Sequence, residues 1–159
     1  PAGLPGTADF VNIGIVEGGN GANIVPAHAS AVVDVRFWDN QEYSQVNDRL
    51  LTLAERPHLE GVTIKLTREA HKPAMVPSEG TKALMAIVEE CGQELGLPIR
   101  WQEVGGGSDA NLTAALGIPT LDGLGPIGAG FHSDEEYLDL ASIAPRIELL
   151  VKVLTRLAA

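Results

Sequence analysis

Residues 11–37 read VNIGIVEGGNGANIVPAHASAVVDVRF, and this stretch decides the fold. Val11 to Glu17 and Ala29 to Phe37 each alternate apolar with polar side chains and are rich in β-branched residues, the pattern of half-buried strands. Gly18 to Pro26 between them is full of turn formers, so the two runs are expected to pair antiparallel. Downstream, Gln41 to Arg56 puts Val46, Leu50, Leu53 and Ala54 on one helical face, and Pro57 stops the helix. Val62 to Thr67 alternates again and predicts a third strand. The order β-β-α-β is the later part of a split β-α-β ferredoxin-like sandwich, with the opening β-α expected upstream of Pro1.

His71 to Ser78 carries two prolines in an extended run and marks a boundary, dividing the chain into residues 1–76 and 77–159. Ser78 suits the cap of a helix bearing Leu84, Ile87, Val88, Cys91 and Leu95. A strand over Ile99 to Val104, a glycine loop, a short helix from Ala110 to Leu116 and a strand at Pro119 to Leu121 are expected next. The final helix carries Ile143, Ile147, Leu150, Val151, Leu154 and Leu157, with Pro145 tolerable only in its first turn. This alternation indicates α/β architecture with a mostly parallel sheet. Two strands are too few to make such a sheet, so the second half reads as part of a larger domain.

The composition narrows the function classes. With 45% hydrophobic and 20% charged residues, the 159-residue chain matches an ordinary folded protein. No apolar run approaches the roughly 18 residues of a membrane span, and Pro1 to Phe10 lacks the pattern of a signal peptide. No membrane partner is expected, and the compartment stays open. A formal net charge of −10 repels phosphate backbones, which argues against nucleic acid as a partner. The single cysteine, Cys91, falls in an apolar helical stripe and reads as a buried thiol.

Three motifs carry chemistry. Gly105 to Asn111 reads GGGSDAN and runs from a predicted strand into a predicted helix, where glycines admit a close ligand and Ser108 or Asp109 can cap. It lacks the Gly-Lys-Ser/Thr ending of a P-loop, and Ala110 breaks the G-x-S-x-G pattern, so Ser108 is not read as a nucleophile. Gly123 to Gly128 matches G-x-G-x-x-G formally, but no helix is expected to follow, which excludes a dinucleotide site. His132 lies among the acids of FHSDEE, where it can serve as a metal ligand, as a base or as a surface residue. Asn23 follows a glycine loop, and Arg36 ends a strand pattern with the side chain best suited to holding a carboxylate. His28, His58 and His71 have ordinary loop contexts.

Four ordered stretches, NIGIVEGGNGANIVP (12–26), AVVDVR (31–36), GGGSDAN (105–111) and GLGPIGAGFHSDEEYLDL (123–140), resemble the M20 zinc carboxypeptidases and aminoacylases, and among them the glutamate carboxypeptidases of the carboxypeptidase G2 type. The resemblance implies a partial ferredoxin-like lid, often dimerising, over residues 1–76, and the C-terminal part of an α/β zinc-peptidase catalytic domain over 77–159. It implies that His132 is the last ligand of a two-zinc centre. Asn23 and Arg36 then hold the substrate's terminal carboxylate, and the Gly106-Gly107 backbone lies along the substrate. The family's zinc pair acidifies a bridging water, a glutamate takes its proton, and the hydroxide attacks an amide carbonyl. In the family the general base and the other ligands lie upstream, so no catalytic residue is identifiable here and the isolated chain is expected to be inactive. The expected parent is a zinc metallocarboxypeptidase that acts on a small molecule or peptide with a terminal carboxylate, releases an amino acid such as glutamate, and dimerises through its lid. The alternative is a non-catalytic carboxylate-binding or dimerisation module derived from the same family.

Overall fold

The computed structural model describes residues 10–131 and 133–159. The chain divides into two compact units, residues 1–74 and 75–159.

In the first unit, β1 (Phe10–Gly18) and β2 (Ala29–Arg36) pair antiparallel, followed by α1 (Asn40–Glu55). The hairpin departs from strict alternation at Gly14, where β1 bulges: Ile13 pairs with Val33 but Ile15 with Val32. The extra residue shifts the alternation, so Val11, Ile13 and Val16 share one face with Ala31, Val33 and Val35. Asn12, Ile15, Glu17, Ser30, Val32, Asp34 and Arg36 fall on the other face. Without the bulge, Glu17 would join the apolar side.

Helix α1 begins where Asp39 Oδ1 accepts hydrogen bonds from the Gln41 and Glu42 amides, both at 2.8 Å. Val46 is its buried residue. Beside its first turns, the His71 ring sits 4.3 Å from Tyr43 and 6.0 Å from Phe37, and the Ala74 amide donates to Asn40 Oδ1 at 3.0 Å. His71, which the sequence leaves in an ordinary loop, therefore belongs to an aromatic cluster.

The third strand expected over Val62 to Thr67 does not form a ladder among the described residues. In a split β-α-β arrangement, another strand stands between the two that the crossover joins, so a sequence with strand character has no direct neighbour until that strand is present.

The second unit contains α2 (Glu79–Glu94), α3 (Ala110–Ala115), the short antiparallel pair β3 (Gly128–Ala129) and β4 (Tyr137–Leu138), and α4 (Ile143–Leu157). Ser78 caps α2 as expected, its Oγ accepting from the Thr81 amide at 3.1 Å. The helix ends in a Schellman turn: Gly96 adopts φ +68°, and the Leu97 amide donates to the Gly92 carbonyl at 2.8 Å. Val88, Cys91, Leu149 and Val153 form the buried core between α2 and α4. Pro145 lies in the first turn of α4, where its missing amide costs nothing.

The strands expected at Ile99 to Val104 and Pro119 to Leu121 are also unladdered, and the parallel sheet does not appear among the described residues. Ile99, Trp101 and Leu121 nevertheless pack against the core. Their apolar side chains serve packing on one side, while a ladder needs a backbone neighbour on the other. Among the described residues, no helix is long and apolar enough to cross a membrane.

Candidate functional site

Arg36 ends β2 opposite Phe10, at the open end of the hairpin. Its Nε donates to Asp34 Oδ2 at 3.0 Å, and both side chains are about half exposed. Asn23 lies in the loop at the other end, within a turn closed by the Ile24 amide donating to the Gly21 carbonyl at 3.2 Å. Gly18 and Gly19 shape the entry to that loop. A Cβ on Gly18 would meet that of Ala29 at 2.8 Å, and Gly19 has φ +77°. A cleft of about 390 Å³ opens beside the loop, lined by residues that include Glu17, Asn20, Ile24 and His28; Asn23 is outside its lining. The seven steps of β2 from Ala29 to Arg36 span roughly 23 Å. The hairpin therefore keeps Asn23 and Arg36 at opposite ends instead of joining them at one point.

In the second unit, Gly105 and Gly106 leave open space: a Cβ built on either meets no heavy atom within 4 Å among the described residues. Nothing in the local fold requires glycine there, so the room is available to a bound molecule. Gly107 leads directly into Ser108, whose hydroxyl is engaged locally. Ser108 Oγ accepts from the Ala110 amide at 3.1 Å, while the Ser108 amide donates to Asn111 Oδ1 at 2.8 Å. Ser108 thus provides the local cap, whereas Asp109 makes no side-chain capping bond.

His132 lies outside the described residues, so its role as a ligand is not placed. Gly130 adopts φ +74°, and a Cβ there would meet the Glu135 carbonyl at 2.6 Å. Its carbonyl accepts from the Ser133 amide at 3.1 Å and from Ser133 Oγ at 2.7 Å. The loop closes a hairpin between β3 and β4, an element that the glycine-rich sequence conceals. Among the described residues, Gly128 opens the short strand β3 and not a helix. Asp139 caps the helical turn that leads into α4, its Oδ1 accepting from the Ala141 amide at 2.9 Å.

Among the described residues, no three His, Cys, Asp or Glu side chains are grouped to hold a metal ion. They do not furnish a zinc centre by themselves.

The model of Peptidase family M20/M25/M40 matches residues 4–156. This chain belongs to peptidase family M20/M25/M40. Among its family relatives, carboxypeptidase G2 of Pseudomonas sp. (strain RS-16) is 33% identical over 150 residues, covering 91% of this chain and 35% of that protein. Aminoacylase-1B of Rattus norvegicus is 26% identical over 157 residues, covering 97% of this chain and 38% of the relative. The M20 chain therefore spans little more than a third of the length of either. The crystal structure of aminopeptidase PepT from Bacillus cereus ATCC 10987 shares the fold, with TM-score 0.66 and 24% identity over 100% of this chain and 42% of that one.

Proposed function

We propose that this chain supplies part of a zinc-dependent M20 carboxypeptidase or amidohydrolase that cleaves an amide bond and releases a C-terminal amino acid such as glutamate. The carrying observation is its 33% identity to a carboxypeptidase along nearly the whole chain. The hairpin supports the substrate class: Arg36 stands on the same face as Asn12 and Asp34 with a planar guanidinium, the side chain suited to a terminal carboxylate. Asn23, at the other end of the hairpin, is the second substrate-binding side chain proposed for this unit. The Gly106-Gly107 backbone borders the substrate, with open space beside Gly106. His132 is the proposed zinc ligand from this chain, and the rest of the centre needs groups beyond the described residues.

The test is made in the full-length protein. Arg36→Lys is expected to lower kcat/KM for a substrate with a free terminal carboxylate by at least about tenfold, or ~1.4 kcal/mol of transition-state stabilisation. Amidating that carboxylate should cost the unmodified enzyme far more than the variant. Equal losses in both enzymes would return Arg36 to the role of a surface arginine.

A further inference from the structure

We infer that Met75 is the pivot of the joint between the two units, and that residues 68–74 are a strap held on α1 that fixes the near side of this joint, a device independent of the role proposed for Arg36.

Asn40, Tyr43 and Asn47 stand at i, i+3 and i+7 of α1 and so share one face of the helix. Each of them holds a residue of the segment that leaves the first unit. Asn47 Oδ1 accepts from Arg68 Nη2 at 3.3 Å, and the Arg68 guanidinium lies 5.4 Å from the centre of the Tyr43 ring. The centre of the His71 ring lies 4.3 Å from that of Tyr43. Asn40 Oδ1 accepts from the Ala74 amide at 3.0 Å. Residues 68, 71 and 74 thus meet 47, 43 and 40 in turn, so the segment runs along the helix against its direction. Each contact alone is weak, but no residue of the strap is more than one position from a held one.

The far side of the joint is fixed by other means. The ring of Pro77 locks its own φ, and Ser78 caps α2: its Oγ accepts from the Thr81 amide at 3.1 Å and its carbonyl from the Lys82 amide at 2.9 Å. Val76 precedes a proline, which keeps it out of the helical region. On the near side Pro73 has its φ locked in the same way, and Ala74 is tied through its amide. Met75, the first residue of the second unit, is where these restrictions leave φ and ψ to turn. Such a joint turns at one place and does not flex along its length, which is the construction of a hinge. A ligand gripped by groups of both units then binds at the cost of one backbone rotation instead of the ordering of a long linker.

The experiment uses the full-length protein. Without any substitution, amide hydrogen exchange at Ala74 should be at least about tenfold slower than at Met75 and Val76, and Asn40→Ala should remove most of that difference. Equal rates at the three amides in the unmodified protein overturn the strap. Spin labels placed through Asp48→Cys on α1 and Ala86→Cys on α2, both exposed positions, report the distribution of distances across the joint, while the native Cys91 is buried. Met75→Gly should broaden that distribution by about half or more, because glycine opens φ and ψ. Ala70→Gly, inside the strap, should leave it unchanged. An unaltered distribution in Met75→Gly places the pivot elsewhere, and equal broadening by both glycines shows that residues 68–74 are not held; either result overturns the inference.

Discussion

At the scale of single residues, Gly92 shows how little the chain can change in its core. The sequence marks it as one more position in a helix, next to Cys91, whose place in an apolar stripe predicts the complete burial observed. It does not show that an extended segment crosses the helix here. A Cβ on Gly92 would lie 2.5 Å from Ile99 Cγ1 and 2.9 Å from the Leu97 carbonyl. Leu97 also closes the end of α2 by donating to the Gly92 carbonyl, so this backbone oxygen cannot swing away without loosening the turn. Gly92→Ala improves intrinsic helix propensity by about 1 kcal/mol, but overpacking costs about 1–3 kcal/mol. The expected outcome is net destabilisation, seen as a lower midpoint in urea with unchanged slope. A midpoint equal to that of the unmodified chain would mean that the segment gives way freely. The candidate site has the same division: Arg36 and Asn23 stand out by residue type and motif, whereas the hold of Asp34 on Arg36 Nε is visible only once both are on one strand face.

At the scale of elements, the hairpin joins two levels of information. Its strands are legible as alternating runs, but the bulge at Gly14 is not, because alternation alone cannot show where one strand carries an extra residue. The extra residue puts Val16 on the face of Val11 and Ile13 and turns Ile15 to the other side, opposite Val32. The first face is exposed: Ile13 is 61% and Val16 71% exposed. An open apolar sheet face is a surface for another chain. The chain is expected to self-associate through this hairpin, in line with the proposed lid dimer. Sedimentation equilibrium should show dimers at high concentration, and Ile13→Lys with Val16→Lys should move the protein toward monomer. A strictly monomeric unmodified chain, or a double variant that associates equally well, would exclude this face.

At the scale of the whole molecule, the two units carry different acid-sensitive contacts. In the first, the His71 pKa is lowered from its ordinary 6.5, chiefly by partial burial beside the aromatic rings and then by Arg68. The folded unit therefore takes up a proton less readily than the unfolded chain. Its contribution to stability is complete above about pH 6.5 and declines as pH falls below that value. In the second unit, Glu94 receives Arg156 Nη2 at 2.6 Å and Lys152 Nζ at 2.7 Å, linking α2 to α4. The hydrogen bond from Arg156, followed by that from Lys152, pulls the Glu94 carboxyl down from 4.5 to about 2. This contribution is complete above about pH 4.5 and is lost as pH falls toward 2. Each unit contains one tryptophan, Trp38 in the first and Trp101 in the second. In single-tryptophan variants, acid titration by fluorescence should disturb Trp38 first and Trp101 at lower pH. His71→Phe should remove the first change and Glu94→Gln should diminish the second. The reverse order, or an unaltered profile in both variants, would show that other groups govern acid sensitivity.

The sequence by itself determined the helices and the hairpin, because helical period, an N-cap such as Ser78, a first-turn Pro145 and a turn-rich connection between alternating runs act over a few residues. Its four ordered motifs also identified the M20 family, which the match over residues 4–156 shows. Only the tertiary structure decided the fate of Val62 to Thr67, Ile99 to Val104 and Pro119 to Leu121. Their side chains have strand character, but a strand exists through hydrogen bonds to a neighbour, and the described residues place none beside them. The tertiary structure likewise decided that Asn23 and Arg36 stand at opposite ends of one hairpin, since spacing along a chain does not measure distance until the pairing register is known.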